Sequence, residues 1–154
     1  MTASVTFQVE RFKDFYTELF PLVCEHWTEI ALDHEAVPLE PDWERYVKLD
    51  EAGSLSVVTA RAGAELVGYH IAVISGHLHY KGTLHGVTDV YFLKPEHRKG
   101  FTGIRLFKTV GAEMKRLGVV KLITGTKVHL DMGRLLERLG YRETERTYTK
   151  IVGS

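Results

Sequence analysis

The sequence predicts an α/β domain in which helices flank a mixed central sheet. Three apolar, β-branched runs, at residues 55–61, 66–75 and 83–94, are separated by short glycine-containing turns. This pattern is typical of an antiparallel meander. An amphipathic helical pattern then leads to another apolar run at residues 119–124, and this connection is long enough for a parallel crossover.

Hydrophobic periodicity, together with residues that cap, end or kink helices, predicts the remaining elements. Pro21 is expected to kink or restart the first helix, Asp42 can cap the second, and Gly118 should stop the helix of the crossover. The predicted elements are a strand at 6–9, a helix with the apolar stripe Phe12, Phe15, Tyr16, Leu19, Phe20, Val23 and Trp27, helices at 42–52, 104–117 and 131–138, and a last strand at 141–152.

Length and composition favour one globular domain spanning residues 1–154. The apolar and charged fractions, 44% and 26%, are close to globular averages. No apolar run reaches membrane-spanning length and the N-terminus lacks a secretory pattern, so we expect a cytoplasmic protein without a membrane partner. A single cysteine, Cys24, excludes an internal disulfide framework, and its place on the apolar side of a helix favours a small buried hydrophobe.

The segment after the third long run predicts an anion site. The strand stops at Pro95 and passes through basic and glycine-rich residues, from Arg98 to Gly103, into an amphipathic helix. Glycines let a ligand approach the backbone, and the free N–H groups of a helix start attract negative charge. A diphosphate is therefore expected there.

Charge is divided between the two halves of the chain, although the net charge is zero. Residues 1–93 hold 6 Lys/Arg and 14 Asp/Glu, whereas residues 94–154 hold 14 and 6. The basic half suits a polyanionic ligand and the acidic half suits a cation, unless both are simply solvated faces. Nucleic acid is not expected, because the acidic half would oppose a long phosphate track.

Two motifs resemble the GNAT N-acetyltransferase superfamily: Leu-Lys-Pro-Glu-His-Arg-Lys-Gly-Phe-Thr-Gly-Ile-Arg-Leu-Phe at 93–107 and Leu-Leu-Glu-Arg-Leu-Gly-Tyr at 135–141. The order of elements is similar over nearly the whole chain. A His-Leu-His-Tyr segment at 77–80 is similar to members of phage or prophage origin. The resemblance implies that the first motif binds the pyrophosphate and pantetheine of acetyl-CoA, through Tyr91, Phe92, Leu93, Arg98, Lys99, Gly100, Phe101, Thr102, Gly103 and Ile104.

The resemblance also implies a reaction. An amine of a small molecule, peptide or protein would attack the thioester directly in a ternary complex. A backbone N–H among residues 91–93, at a strand bulge, would stabilise the thioester oxygen. A homodimer is compatible with this assignment.

The chain departs from the family pattern at three positions. Phe101 occupies the middle glycine position of the turn, so it should point away from the diphosphate or lie against the pantetheine arm. The tyrosine that serves many members as general acid falls on Leu136, and a preceding asparagine position falls on His129. The usual acid is therefore not assigned. His129 is expected to be a loop residue near the cofactor thiol and could serve as the acid. The loss of the tyrosine also leaves open a catalytically silent acyl-CoA-binding module.

Asp89 is the candidate general base. It lies two residues before Tyr91, and strict alternation places both on one strand face. A charged residue in an apolar strand has two explanations, a catalytic or substrate-binding carboxylate and a buried structural aspartate.

Acceptor recognition is expected from the acidic half. In the family this wall would lie around Trp27, Glu29, Asp33, His34 and Glu35, which could equally form a solvated acidic helix end. His79 and Tyr80 are a second candidate for the substrate mouth. A zinc site formed by His77, His79, His85 and Asp89 is a weaker alternative to exposed turn histidines, and no metal is expected.

Overall fold

The computed structural model describes residues 3–153, and its centre is a five-stranded sheet in the order β1-β2-β3-β4-β5. The first four strands pair antiparallel, whereas β5 pairs parallel to β4. This confirms the predicted mixed sheet. The elements are β1 Val5–Val9, α1 Phe12–Ile30, α2 Trp43–Glu51, β2 Leu55–Ala62, β3 Glu65–His77, β4 Tyr80–Leu93, a 3-10 turn Pro95–His97, α3 Thr102–Arg116, β5 Val119–Ile123 and α4 Gly133–Arg138.

The core has two layers, one on each face of the sheet. Helices α1 and α2 cover one face, where Phe12 and Leu19 pack with Tyr69 of β3. Helix α3 covers the other face, where Val110 packs with Val58 of β2. None of the helices within residues 3–153 has the length and apolar character needed to cross a membrane.

The residues expected to cap, end or kink the helices act largely as predicted. The Asp42 carboxylate accepts a hydrogen bond of 3.0 Å from the N–H of Arg45 at the start of α2. Gly118 ends the crossover helix with a φ of +77°, a conformation that favours glycine. Pro21 lies within a continuous α1, so the alternative of a restarted helix is wrong.

The buried stripe of α1 differs from the predicted one in its last two turns. Phe12, Phe15 and Leu19 are buried as expected, but the stripe continues through Leu22 and His26. A spacing of three and four residues keeps these positions on one face of a helix. The stripe therefore carries a histidine toward the sheet.

The last predicted strand does not form. Residues 141–153 contain no strand, and positions 142–153 are exposed. Their β-branched pattern satisfies only the local requirement, because a strand also needs a neighbouring strand to accept its hydrogen bonds. In the described part of the chain β5 pairs with β4 alone.

A β-bulge at Asp89 interrupts the pairing of β3 with β4. Ile71 faces Val90, whereas the next residue, Ala72, faces Thr88, so Asp89 has no partner in the ladder. An extra residue of this kind bends the strand and changes the direction of its side chains. The sequence analysis expected a bulge among residues 91–93, and the structure has it at Asp89, just before that region.

The bulge makes the single-face prediction for Asp89 and Tyr91 wrong. The Asp89 carboxylate accepts a hydrogen bond from the hydroxyl of Tyr46, on the α2 side of the sheet. The Tyr91 ring stacks on His70 and contacts Phe107 of α3, on the opposite side. Alternation is lost because one additional residue reverses the order of faces.

Gly68 of β3 permits the close approach of β4 beyond the bulge, and we expect Gly68→Ala to destabilise the fold. An added Cβ would lie 2.7 Å from the carbonyl oxygen of Phe92 and 2.8 Å from a methyl group of Leu93. Such overpacking costs about 1–3 kcal/mol. Urea unfolding measures the loss, with Gly76→Ala on the same strand as the control, because no atom lies within 4 Å of its Cβ position. Equal stability of the two variants would contradict this account.

Candidate active site

Two adjoining cavities lie beside the sheet. The larger one lies where β4 and β5 separate. Their pairing ends at Val87 and Ile123, and the Thr88 and Thr124 hydroxyls, 2.8 Å apart, form the last link. Beyond it a cavity of about 500 Å³ opens. Its walls come from β4, the start of α3, the loop after β5, α4 and the end of α1: residues 88–93, Arg98, Gly100, Gly103, Ile104, Leu106, Phe107, 125–127, Leu130, Met132, Leu135, Arg138, His26, Glu29, Ile30 and Thr147.

Two backbone N–H groups of β4 face this cavity. The N–H of Lys94 donates to Val67 of β3, at 2.8 Å, so alternate residues of β4 bond to β3. Tyr91 and Leu93 are the intervening residues. Their N–H groups therefore point to the opposite side of β4, where β5 no longer pairs with it. The carbonyl oxygen of Leu93 confirms this direction, because it accepts a 2.7 Å hydrogen bond from Arg98 instead of from β3.

The turn before α3 leaves the helix start open. Gly100 has a φ of +61°, which only glycine adopts readily. Phe101 is the N-cap residue of α3, and no side chain accepts a hydrogen bond from the first N–H groups at this cap. Its own side chain is 74% exposed and does not line the larger cavity, whereas Gly103 and Ile104 do. An uncapped helix start of this kind can bind an anion.

Arg98 ties the turn to α1. Its Nε donates to the carbonyl oxygen of Leu93, and its Nη2 pairs with Glu29 at 2.8 Å. The guanidinium also lies over the ring of Phe92, 5.4 Å from its centre. The pairing with Glu29 partly neutralises the positive charge that the sequence analysis expected to bind an anion. Lys127 and Arg138 are two further basic residues in the wall of the larger cavity.

Asp89 is exposed at the edge of the larger cavity, which excludes the buried structural aspartate. Tyr46 of α2 donates its hydroxyl proton to the carboxylate. Burial and the neighbouring carboxylate both raise the pKa of Tyr46, so this hydroxyl stays protonated at neutral pH. The hydrogen bond fixes the position of the Asp89 side chain.

His26 and Tyr69 are functional candidates that the sequence analysis missed. His26 lines the larger cavity, stacks on Phe92, and places its Nδ1 2.9 Å from the Tyr69 hydroxyl. Burial lowers the pKa of His26 to about 4, so the ring is neutral at pH 7. The signal that could have found His26 is a histidine at helical spacing on an otherwise apolar buried stripe.

A smaller cavity of about 270 Å³ adjoins the first one on the α1 and α2 side of the sheet. Val90 lines both cavities. Trp27, predicted to bind the acceptor, lies in the wall of the smaller cavity, and its ring stacks on His34. The full lining is Leu19, Val23, Trp27, Val37, Pro38, Leu39, Glu40, Pro41, Trp43, Tyr46, Ile71 and Val90.

Several predicted site residues line neither cavity. Lys99, Thr102 and Glu35 are among them. His79 and Tyr80 lie at the β3–β4 hairpin, and Tyr80 and Asp89 are nine positions apart in β4, roughly 30 Å along an extended strand.

The remaining histidines are placed as follows. His129 is exposed and its Nε2 lies 3.2 Å from the carbonyl oxygen of Glu29. His77 and His85 lie close together beside Tyr80. Within residues 3–153 no group of three potential ligands is suited to a metal ion. Leu136 of α4 is buried.

Comparison by sequence matches neither a protein-family model nor a curated protein. Solved structures do match. Ribosomal-protein-alanine N-acetyltransferase from Brucella melitensis biovar Abortus 2308 has a TM-score of 0.70 at 18% identity, over 97% of this chain and 100% of that one. The chain has the GNAT fold.

Two further similar structures illustrate the range of acceptors within the GNAT fold. Glucosamine-6-phosphate N-acetyltransferase from Arabidopsis thaliana has a TM-score of 0.72 at 10% identity, over 97% and 99% of the two chains. AAC(6')-Iy, solved with the bisubstrate analogue CoA-S-monomethyl-acetylneamine, has a TM-score of 0.64 at 17% identity, over 99% and 100%. The cytoplasmic location, the homodimer and the phage relationship stay predictions.

The second buried histidine of the site predicts a pH dependence of stability. His70 lies behind Tyr91, with Nε2 3.2 Å from the Thr88 hydroxyl and Nδ1 unpaired, and burial lowers its pKa from 6.5 to about 4. The unfolded chain therefore binds more protons between these pH values, so stability falls as pH falls from about 6.5 to 4. The loss approaches about 3 kcal/mol for such a shift.

Urea unfolding at pH 7 and pH 4.5 measures this dependence. In His70→Gln the difference between the two pH values should shrink, whatever the absolute stability of the variant. His79→Gln, at an exposed position in the hairpin, should keep the parent difference. A His70→Gln variant with the full parent difference would exclude His70 as the source.

Proposed function

We propose that this chain is an acetyl-CoA-dependent N-acetyltransferase that acts on an amine acceptor. The observation that carries the proposal is the cavity between the separated strands β4 and β5, with open N–H groups on one wall and the uncapped start of α3 at one end. The N-acetyltransferases that share the fold support the reaction class. The acceptor is a small molecule, a peptide or a protein.

The residues present fit acetyl-CoA. The N–H groups at Gly103 and Ile104 would hold the diphosphate, with Lys127 and Arg138 supplying charge. The N–H groups of Tyr91 and Leu93 would bind the pantetheine amide and the thioester oxygen, as an additional strand does.

The proposed transfer is a single displacement. The amine nitrogen forms a bond to the acetyl carbon, the carbon–sulfur bond breaks, and its electron pair leaves with sulfur. The nitrogen loses one proton and the sulfur gains one, which gives an amide and a free thiol. No covalent enzyme intermediate is needed, and Cys24 lines neither cavity.

We infer that Asp89, held by Tyr46, accepts the amine proton directly or through water. His26 is neutral at pH 7 and can accept or donate a hydrogen bond in the same wall. Tyr91 is a candidate for the acid that Leu136 does not supply, because it lines the larger cavity and burial raises its pKa, which keeps its hydroxyl protonated at neutral pH. That hydroxyl donates to the carbonyl oxygen of Gly125 at 2.9 Å.

The second candidate is a catalytically silent acyl-CoA-binding module. Leu136 favours it, because a leucine at that position of α4 has no hydroxyl that could protonate a departing thiolate. Both candidates require the same ligand, and only turnover separates them.

Acetyl-CoA should raise the melting temperature of the protein, because a ligand that binds only the native state stabilises it by mass action. Gly103→Val should reduce that shift, with affinity weakened about tenfold or more. The new methyl groups would enter the larger cavity, while the Cβ itself meets only Leu135, at an ordinary 3.6 Å.

Gly111→Val is the matched control for this experiment. It places the same β-branched residue on α3 at an exposed position with no atom within 4 Å of the Cβ. It should keep the parent shift. No shift in the parent, together with no heat in calorimetry, would reject both candidate functions.

Asp89→Asn should leave acetyl-CoA affinity nearly intact and lower turnover about a hundredfold, because the amide keeps the shape and removes the basicity. Tyr46→Phe should cause a smaller loss, since it frees the carboxylate without removing it. Free-thiol release with a screened amine measures turnover, and titration calorimetry measures affinity. Asp14→Asn, outside both cavities, is the control. Unchanged turnover in Asp89→Asn would exclude Asp89 as the base.

A further inference from the structure

The smaller cavity has a lining whose chemistry constrains the acceptor. Two tryptophans, Trp27 and Trp43, face it together with Leu39 and Val90. Within the described lining, Glu40 is the only charged side chain and no basic residue occurs. A phosphate or carboxylate on the acceptor body would find no cation here, and burying it unpaired would be costly.

The position of the smaller cavity fits an acceptor body. Val90 separates it from the larger cavity, and Tyr46 lines the smaller cavity while its hydroxyl holds Asp89 at the edge of the larger one. A molecule in the smaller cavity can therefore direct one end past Val90 to Asp89. That end must be a group that a carboxylate attracts, such as an amine.

The size of the cavity limits the body further. About 270 Å³ is below the range of roughly 300–1,000 Å³ that holds drug-sized ligands. This volume is too small to enclose an aminoglycoside, whose several ammonium groups would also lose water against an aromatic wall. A phenyl or indole ring suits an apolar cavity lined by aromatic side chains.

Resting on the function proposed above, we propose that the acceptor is a primary amine carried on a small aromatic body, of the arylalkylamine type. The ring occupies the smaller cavity and the amine reaches Asp89. Its nitrogen receives the acetyl group, its proton leaves to the Asp89 side, and the products are an N-acetyl arylalkylamine and a thiol.

Phenethylamine is the probe, compared with ethanolamine, phenylalanine, glucosamine 6-phosphate and neamine at equal concentration. The first should have the highest kcat/KM, ten- to a hundredfold above ethanolamine, which corresponds to burial of a phenylalanine-sized side chain. Phenethylamine should also shift the melting temperature of the protein saturated with coenzyme A. This second readout does not depend on turnover.

Val37→Ser tests whether the ring of the acceptor occupies the smaller cavity. Val37 lines the smaller cavity but is 59% exposed, so the change is compatible with folding. It should lower kcat/KM for phenethylamine at least threefold without changing acetyl-CoA affinity. Leu78→Ser, at a fully exposed position in the β3–β4 hairpin, is the matched control and should change neither.

The outcomes separate this inference from the proposed function. Acetyl-CoA binding with turnover of neamine or glucosamine 6-phosphate, but not of phenethylamine, would overturn the inference and leave the function standing. Equal rates for phenethylamine and ethanolamine, or an unaffected Val37→Ser, would also overturn it. Absence of acetyl-CoA binding would reject the function itself.

Discussion

The site depends on one extra residue in β4. Because Asp89 has no partner in the ladder, the side chains on either side of it change faces, and Asp89 meets Tyr46 while Tyr91 meets His70. The bend also ends the pairing with β5, which opens the larger cavity and turns two N–H groups toward it. The position of the carboxylate, the free backbone donors and the larger cavity thus follow from a single irregularity.

Side chains beneath the sheet hold this irregularity in place. The Thr88 hydroxyl contacts both His70 on β3 and Thr124 after β5, so it links three segments at the point of separation. His70 is neutral because it is buried, and a neutral imidazole can remain there without a counter-ion. On the far side of the bulge, Gly68 lets β4 come close to β3. The bulge therefore lies between two constraints, the hydrogen bonds of Thr88 before it and the close contact of β4 with Gly68 after it.

The sequence predicted the elements well because each has a local signature, such as the Asp42 cap or the glycine after α3. It did not predict the faces of Asp89 and Tyr91, because alternation is a local rule and the bulge is imposed by the pairing of two strands. The missing strand at 141–152 has the same cause. Its residues prefer extended backbone, but strand formation depends on a partner that local sequence does not specify.

The roles of the charged residues were the least predictable part of the site. The sequence predicts that Arg98 binds the diphosphate, and this stays a prediction; in the structure its guanidinium pairs with Glu29 and contacts Leu93 and Phe92 while Arg98 lines the larger cavity. This ion pair joins the acidic half of the chain to the basic half. It fixes the end of α1, which carries His26, against the turn that precedes α3. The wall proposed for the acceptor and the turn proposed for the diphosphate are thus coupled by a direct contact, and the division of charge along the chain serves the fold as well as its ligands.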